Sequence, residues 1–409
     1  MQCRFCKTEL KHIFIDLVNS PASNSFLTEE QLNEPEIFYP LKVYTCPKCF
    51  LVQVDEYKKS DAIFNSDYVY FSSYSTSWLK HAKNYAELMT ERFGYNQSSL
   101  VIEIASNDGY LLQYFKEKNI PVLGIEPTVN TANVAIGKGI DSVIDFFGVR
   151  LADELSAKNI KADLLLGNNV LAHVPDISDF VKGMKIVLKE TGIITMEFPH
   201  VLQLVNNNQF DTIYHEHFSY LSFHTVKNIF ESQGLEMFDV DEIPTHGGSI
   251  RIYAKHKEDS GKTVSKNVQA LLEKETAEGI TRLAYYENFQ QKALLVKLNL
   301  TDFLITQKRA SKKVAAYGAA AKGNTLLNYC GIKNDLIEFV ADANPHKQNK
   351  FLPASHIPVR NEEYLKKQKP DYIIILPWNL KEEIISQLSY VRDWGGKFVI
   401  PIPQLQVLH

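Results

Sequence analysis

The stretch VIEIASNDG, residues 101–109, decides the fold of this 409-residue chain. It begins as an apolar run around one acid and ends in a turn of small and polar residues. Apolar positions from Tyr110 to Phe115 then recur with helical spacing. The order of strand, tight loop and helix predicts the start of a nucleotide-binding βαβ unit.

A second apolar run, VLGIEP, follows this unit and ends at Glu126. An acid at the end of the second strand commonly holds the two hydroxyls of a ribose. The dinucleotide fingerprint GxGxxG is absent, and the carboxylates in and beside the loop would repel a pyrophosphate. A cationic or zwitterionic ligand fits better, so we interpret the stretch as a site for S-adenosylmethionine (SAM). The alternative is an ordinary strand, turn and helix with no ligand.

Composition places the chain among ordinary globular proteins with two or three domains, because 45% of its residues are hydrophobic and 22% are charged. A net charge of −4 does not suggest non-specific nucleic-acid binding. No apolar run approaches the roughly 20 residues of a membrane span, and the N-terminal MQCRFC does not resemble a signal peptide. We therefore expect a cytoplasmic protein that binds neither nucleic acid nor membrane.

Four of the five cysteines form two CxxC pairs, which predict a metal site: Cys3, Cys6, Cys46 and Cys49. Four thiolates suit tetrahedral zinc, and a closed site of this kind serves folding rather than chemistry. A redox pair and four unrelated thiols are the alternatives. The fifth cysteine, Cys330, is expected to be a buried small residue.

Further strands are predicted at residues 142–144, 164–169 and 193–198. Ligands of open α/β sheets bind outside the carboxyl ends of the strands, so Asn169 and His173 should lie where a methyl acceptor meets SAM. His173 could instead be structural. The predicted SAM-contacting residues are Glu103, Ala105, Asn107, Asp108, Gly109, Glu126, Pro127, Asp145 and Asn168.

The segment YHEHF, residues 214–218, is the densest ionisable cluster of the chain. A histidine beside a carboxylate suits acid–base chemistry. Metal ligation is the weaker interpretation, because a zincin needs HExxH on a helix, and a structural role is the third.

Tyr70 lies in the aromatic stretch 68–78 and either packs or offers its phenol to a substrate. His246 and Ser249 flank two glycines that allow close backbone approach.

Residues 262–312 are helical in character and predict a connector. A second α/β domain then opens at Val314, where the strand VAAYG precedes a small-residue loop with Lys322 in the first helical turn. Backbone amides with an ammonium group favour an anion such as a nucleotide phosphate. Packing alone is the alternative. The predicted substrate-binding residues are His246, Ser249, Lys322, Asn324, Asp342 and Lys347.

Taken together, the chain resembles the sugar C-methyltransferases that act on nucleotide-linked 4-keto sugars. The resemblance spans the chain and rests on the order of nine motifs: CRFC with CPKC, YFSS, EIASNDG, GIEP, NNVLAHVPD, YHEHFSYLS, THGGSIR, YGAAAKGNTLLNYCGI and DANPHKQNKFLPASHIPV.

The resemblance implies an α/β protein with four parts: a zinc-binding module at 1–72, a class I SAM methyltransferase domain with a Rossmann-like fold at 73–260, a helical connector at 261–312 and a C-terminal Rossmann-like domain at 313–409. It also implies a nucleotide-diphosphate-linked 4-keto sugar as partner, with TDP expected and GDP or CDP as alternatives. We expect a monomer.

The resemblance also implies the chemistry of C3 methylation through an enolate. It identifies the catalytic set as Tyr70, Asn169, His173, Tyr214, Glu216 and His217. We assign His217 as the base, Glu216 as its orienting partner and Tyr214 as a hydrogen-bond donor or alternative acid, while Tyr70, Asn169 and His173 hold the sugar. Two positions depart from the family pattern: Ala105 stands where glycine is more frequent, and His215 stands where aspartate is more frequent, so that His215 is the alternative to His217 as the base.

Two other classes of protein are alternatives to a methyltransferase. One is an NAD-dependent nucleotide-sugar dehydratase or epimerase built on the C-terminal domain, although the GAAAKG loop lacks GxGxxG. The other is a non-enzymatic zinc-ribbon assembly protein, which the crowded YHEHF segment argues against.

Overall fold

A computed structural model of the chain describes residues 1–64 and 70–409. The chain begins with β1 (His12–Ser20), β2 (Tyr39–Thr45), β3 (Val52–Val54) and α1 (Ser60–Ile63). The middle of the chain alternates helices and strands: α2 (Thr76–Phe93), β4 (Val101–Ile104), α3 (Leu112–Lys116), β5 (Val122–Ile125), α4 (Val129–Gly137), β6 (Ser142–Val143), α5 (Val149–Ala157), β7 (Ala162–Asn168), α6 (Ile177–Val187), β8 (Leu188–Pro199), α7 (Val201–Asn206), β9 (Ser219–Tyr220), α8 (Phe223–Ser232), β10 (Leu235–Ile243) and β11 (Ser249–His256).

The last third of the chain begins with two helices, α9 (Lys266–Glu278) and α10 (Phe289–Arg309). A second alternation of strands and helices then reaches the end of the chain: β12 (Val314–Tyr317), α11 (Ala321–Cys330), β13 (Val340–Ala341), β14 (Val359–Arg360), α12 (Glu362–Gln368), β15 (Tyr372–Ile375), α13 (Lys381–Gln387), β16 (Lys397–Ile400) and β17 (Gln406–Leu408).

The middle sheet has seven strands in the order β10-β11-β8-β7-β4-β5-β6. Strands β8 to β6 run parallel, and β11 and β10 are antiparallel. The chain moves outward from β4 to β6 and then returns to β7 on the other side of β4. Such a reversal opens a ligand crevice at the carboxyl ends of the two strands, which places the first crevice between the loops after β4 and β7.

The C-terminal sheet repeats this arrangement with the order β14-β13-β12-β15-β16-β17, in which only β17 is antiparallel. Here the reversal falls between β12 and β15, so the second crevice lies at the loops after these two strands. The strands VAAY and YIII are almost entirely buried, as parallel strands covered on both faces require. The predicted C-terminal Rossmann-like α/β fold is confirmed.

The N-terminal sheet is antiparallel, with the order β1-β2-β3-β9. Its fourth strand does not come from the N-terminal region: β3 pairs with β9 through Val52 opposite Tyr220 and Gln53 opposite Ser219. β9 directly follows the YHEHF segment, so this segment is fixed to the N-terminal sheet. The domain boundaries at 72, 260 and 312 stay predictions.

The connector consists of two helices, α9 and α10. Gly279 ends α9 in a left-handed conformation with φ of 102°, a conformation that glycine adopts without a Cβ penalty. α9 also packs against the middle of the chain, since buried Glu275 accepts hydrogen bonds from the Phe223 and His224 amides at 2.7 Å. α10 has 21 residues, and across the described part of the chain no helix is both long enough and apolar enough to cross a membrane.

Candidate active site

The four predicted metal ligands come together near β1 and β2. Their sulfur atoms all lie within 4.8 Å of one another, with Cys3 and Cys49 at 3.5 Å and Cys6 and Cys46 at 3.4 Å. A tetrahedral zinc with bonds of about 2.3 Å separates its sulfur ligands by roughly 3.8 Å. The cluster therefore fits zinc, and it leaves no ligand position open for a reaction.

The first crevice is formed by the loop after β4, which turns through three left-handed residues: Ala105 (φ 58°), Asn107 (φ 49°) and Gly109 (φ 75°). Glu126, at the end of β5, holds this loop. One of its oxygens accepts the Asn107 amide at 2.9 Å, and the other accepts the Thr128 amide at 2.9 Å. The carboxylate predicted to bind a ribose therefore also fixes the loop and the start of α4.

The segment after residue 69 lies across this loop. The Asn107 side-chain amide donates to the Tyr70 carbonyl at 3.1 Å, and its oxygen accepts the Ser72 amide at 2.9 Å. Tyr70 as a whole residue is 45% exposed, but burial of its phenol raises the pKa of that group, and a hydrogen bond with Ser72 opposes the shift. Tyr68 and Val69, where the aromatic stretch begins, lie outside the described residues.

Polar groups without ordinary partners face this crevice. Neither oxygen of buried Glu103 and neither side-chain atom of Asn168 makes a hydrogen bond of normal geometry among the described residues, and the same holds for one oxygen of Asp108. Burial raises the pKa of Glu103 well above its ordinary value, and the nearby Tyr110 phenol opposes this only in part. Buried acceptors of this kind fit the cationic groups of SAM. Two predicted cofactor residues have charged partners: Asp108 lies 3.8 Å from Lys138, and Asp145 lies 2.6 Å from Arg150.

Replacing Ala105 by glycine should stabilise the protein. A left-handed alanine costs about 1–2 kcal/mol, and the greater backbone freedom of glycine in the unfolded chain offsets about half of this. We expect a higher thermal midpoint for Ala105→Gly. The control is Ala277→Gly in helix α9, where glycine should lower the midpoint by the equivalent of about 1 kcal/mol. Equal destabilisation by both changes would contradict the strain at Ala105.

The YHEHF segment is a tight turn and not an extended strand. The His217 amide donates to the Tyr214 carbonyl at 2.9 Å, which brings the two rings to a centroid distance of 4.0 Å. His173 packs edge-on against His217 at 4.6 Å. The YHEHF turn, which lies directly before β9, and the loop after β7 thus bring together three predicted catalytic side chains.

Hydrogen bonds define the tautomers of two of these histidines. Nδ1 of His217 lies 2.9 Å from the Thr212 carbonyl, and Nδ1 of His173 lies 2.8 Å from the Glu216 carbonyl. A carbonyl oxygen can only accept, so each Nδ1 carries the proton and each Nε2 keeps its lone pair. Burial lowers the pKa of His173 to about 4 and that of His217 well below its ordinary value. Both rings are therefore neutral near pH 7, each with an unprotonated Nε2 that is a weaker base than the nitrogen of a free imidazole.

The prediction that Glu216 orients His217 is wrong. The Glu216 carboxylate accepts both of its hydrogen bonds from the Asn24 side-chain amide, at 2.9 and 2.8 Å, and Thr212 holds the His217 ring instead. The turn directs successive side chains to different sides. His215 accordingly lies away from His217, with Nε2 3.2 Å from the Pro40 carbonyl.

Burial raises the pKa of Glu216 to about 7, with Asn24 opposing the shift. Because of the raised pKa, the folded state binds this proton more tightly than the unfolded state does. The resulting stabilisation of the folded state is largest at low pH and is lost as the pH rises from 4.5 to about 7. Each pKa unit corresponds to about 1.4 kcal/mol. Glu216→Gln should therefore gain thermal stability relative to the parent between about pH 5 and about pH 8. Glu382→Gln, on an exposed side chain, is the control, and a pH-independent difference for Glu216→Gln would contradict the shift.

The second crevice contains the predicted anion-binding lysine. Lys322 Nζ donates to Asn379 at 2.7 Å and lies 4.7 Å from the centre of the Trp378 ring. The Trp378 indole donates to Asp211 at 2.7 Å, and burial raises the pKa of Asp211 to about 6 while the Lys322 charge opposes this. The cluster lies where the loops after β12 and β15 meet.

Residues of the two crevices lie close to one another around His246 and Gly247. Gly247 packs so closely on Trp378 that a Cβ at this position would lie 2.6 Å from the indole. Next to it, His246 Nε2 accepts a hydrogen bond from Asn169 at 2.8 Å. Burial lowers the pKa of His246 to about 4, and the charge of Lys322 adds to this effect. The loop that carries His246 and Gly247 therefore contacts Asn169 of the first crevice and Trp378 of the second.

Four predicted substrate residues have protein partners. Asn324 donates to the Ser23 carbonyl at 2.6 Å, and Lys347 donates to the Ala319 carbonyl at 2.9 Å. Asp342 accepts the Ala319 amide at 2.6 Å, and Ser249 donates to the Thr245 carbonyl at 2.9 Å. These contacts shape the loops of the crevice, and a role in binding substrate stays a prediction.

Sequence reasoning missed a buried charged network around Glu197 at the end of β8. Its carboxylate accepts hydrogen bonds from Arg251 at 2.9 Å and from Thr245 at 2.9 Å, and lies 2.8 Å from His81. The network fixes the loop that carries His246. Charged residues inside apolar strands, as in IITMEF and IRIYAK, were the available signal.

The seven-stranded sheet, its reversal at β4 and the buried acidic crevice define a class I SAM-dependent methyltransferase. Family models match three successive parts of the chain: a zinc binding domain at residues 3–64, a methyltransferase domain at 78–240 and a C-methyltransferase C-terminal domain at 244–403.

The chain belongs to the C-methyltransferase family. It is 32% identical over 407 residues to the C-methyltransferase NovU of Streptomyces niveus, a match that covers all of this chain and 96% of NovU. The enzyme is therefore a SAM-dependent C-methyltransferase with a zinc-binding module. This membership sets aside the dehydratase or epimerase and the assembly protein.

Solved structures resemble parts of the chain. PH0226 protein from Pyrococcus horikoshii OT3 is 12% identical with a TM-score of 0.39 and covers 46% of this chain and 95% of its own. Magnesium protoporphyrin IX methyltransferase from Synechocystis PCC 6803, solved with bound SAM, is 13% identical with a TM-score of 0.33 and covers 43% and 78%.

Proposed function

We propose that this enzyme methylates C3 of a nucleotide-linked 4-keto-deoxysugar. The observation that supports this most directly is the half-buried, neutral His217, whose Nδ1 is fixed by the Thr212 carbonyl and whose Nε2 keeps its lone pair. A C–H bond next to a ketone is acidic enough for such a base, because the resulting anion is an enolate. O- or N-methylation would not require a carbon acid.

His217 Nε2 accepts the C3 proton, and the electron pair of the broken C–H bond delocalises onto the C4 oxygen. A donor must stabilise that oxygen, and we assign this role to the Tyr214 phenol, whose ring centre lies 4.0 Å from that of His217. Bound SAM supplies an electrophilic methyl group on a sulfonium. His173 packs against the His217 ring, and we assign His173, Asn169 and Tyr70 to hold the sugar, so that C3 is oriented for in-line attack.

The second crevice suits the nucleotide diphosphate. Burial lowers the pKa of Lys322, and the nearby Asp211 carboxylate opposes this only in part, so a diphosphate would supply further negative charge beside the ammonium group. The crevice at β12 and β15 therefore positions the sugar through its nucleotide, while the crevice at β4 and β7 holds SAM.

A substrate screen tests the proposal. TDP-, GDP- and CDP-linked 4-keto sugars are incubated with enzyme and methyl-labelled SAM, and NMR locates the transferred methyl group. We expect a new carbon–carbon bond at C3 with one of them. The matched control is the corresponding 4-hydroxy sugar, which lacks the ketone and should not react. A methyl group on oxygen, or reaction of the 4-hydroxy sugar, would contradict the enolate mechanism.

A further inference from the structure

Arg4 lies inside the first zinc knuckle, between the ligands Cys3 and Cys6, yet its side chain leaves the knuckle. Nη1 donates to the Pro175 carbonyl at 2.7 Å, and Nη2 donates to the Val54 carbonyl at 2.6 Å. The guanidinium also lies 5.3 Å from the centre of the Phe218 ring. Three separate segments of the chain meet at this one side chain.

Two of these segments carry the histidines described above. Pro175 follows His173 by two residues, and Phe218 follows His217 directly. The Val54 amide donates to the Phe218 carbonyl at 3.1 Å, so the third segment is itself joined to the second. One guanidinium thus fixes the loop after β7 and the end of the YHEHF turn relative to each other.

The zinc knuckle holds Arg4 from the other side. The Arg4 amide donates to the Gln53 side-chain oxygen at 2.8 Å, and the Gln53 side-chain amide lies 3.2 Å from the Cys3 sulfur. The Arg4 side chain is half-buried, and its buried Nε has no hydrogen-bond partner in the described part of the chain. Withdrawal of a charged group from water is costly.

We infer that Arg4 is a positioning residue that carries the geometry of the zinc knuckle to His173 and His217. The inference depends on the proposed function for the roles of these two histidines. Arg4 touches no reacting atom. It sets the distance and angle between two rings packed at 4.6 Å.

Amide hydrogen exchange tests the link without any substrate. The amides of His173 and His217 donate to Val170 and Tyr214 at 2.8 and 2.9 Å, so they report on the two segments. In Arg4→Met we expect both to exchange at least about tenfold faster, which corresponds to one lost charged hydrogen bond. Zinc content should stay at that of the parent, and the Kd for SAM should change by less than about twofold.

Kinetics complete the test. If the screen above provides a substrate, Arg4→Met should lower kcat by about tenfold or more and leave KM nearly unchanged, because the loss affects alignment. Lys7→Met is the matched control: Lys7 lies in the same knuckle, is exposed, and donates to the Arg4 carbonyl at 3.1 Å. It should match the parent in exchange, zinc content and kcat.

Several results would overturn the inference: unchanged exchange at both amides, faster exchange with an unchanged kcat, or equal effects in Lys7→Met. If Arg4→Met loses zinc, Arg4→Lys decides, because lysine keeps the charge but cannot span both carbonyls. Unchanged exchange and kcat in a zinc-loaded Arg4→Lys would then overturn it. A parent enzyme inactive on every 4-keto sugar would count against the proposed function, while exchange would still decide whether Arg4 holds the two segments.

Discussion

Replacing His217 by alanine is expected to lower methyl transfer by about 10²–10⁴-fold, the usual contribution of a general base. SAM binding should persist, because the first crevice is built from the loops after β4 and β7 and does not use the His217 ring. Calorimetry of SAM binding, combined with a labelled-methyl assay, measures both effects. His215→Ala is the matched control, since that ring contacts the Pro40 carbonyl on the other side of the turn.

Proton exchange sharpens this test. In deuterated buffer without SAM, the parent should wash the C3 proton out of a 4-keto sugar, and His217→Ala should not. Persistent exchange in His217→Ala, with loss in His173→Ala or Tyr214→Phe, would move the base to another residue. If the parent shows no exchange, the measurement is repeated with the demethylated cofactor product, since deprotonation then depends on an occupied first crevice.

Replacing Cys46 by serine is expected to abolish zinc binding and unfold the N-terminal region. Structural zinc sites contribute about 10–16 kcal/mol in peptide systems, which is comparable with the entire stability of a typical domain. The parent should hold one zinc, and the variant none, with protease sites exposed in residues 1–64. Methyl transfer should be lost as well, because Asn24 and the N-terminal sheet hold the YHEHF turn.

The control for this experiment is Cys330→Ser. Cys330 is buried in α11, far along the chain from the four-cysteine cluster, so this variant should keep its zinc. Full zinc content in Cys46→Ser, or a parent free of zinc after purification under reducing conditions, would contradict the assignment. SAM binding by the zinc-free variant separates loss of the module from loss of the first crevice.

Local sequence signals were sufficient for much of the architecture. The double CxxC gave the four-cysteine cluster because thiolate spacing within a knuckle is a short-range property. VIEIASNDG gave β4 and its loop because a buried strand and a left-handed turn have distinctive compositions. The apolar strand at Val314 predicted the C-terminal sheet for the same reason.

Long-range contacts could not be predicted in this way. The partner of Glu216 is Asn24, almost two hundred positions earlier in the chain, and adjacency in sequence wrongly suggested His217. The network around Glu197 joins four elements whose proximity depends on the assembled sheet. The role of Thr212 could not be predicted, because Thr212 holds the His217 ring through its backbone carbonyl, a group that every residue type has.

The pairing of β3 with β9 has a consequence for biosynthesis. Val52 is translated 168 residues before its partner Tyr220, and at about 5–20 residues per second the interval lasts roughly 10–30 seconds. During this time the edge of β3 is unpaired, and exposed edges of this kind recruit other chains. The nascent chain should therefore be most prone to aggregation before residue 220 emerges from the ribosome, and a slowed translation of the middle region should lower the yield of folded enzyme.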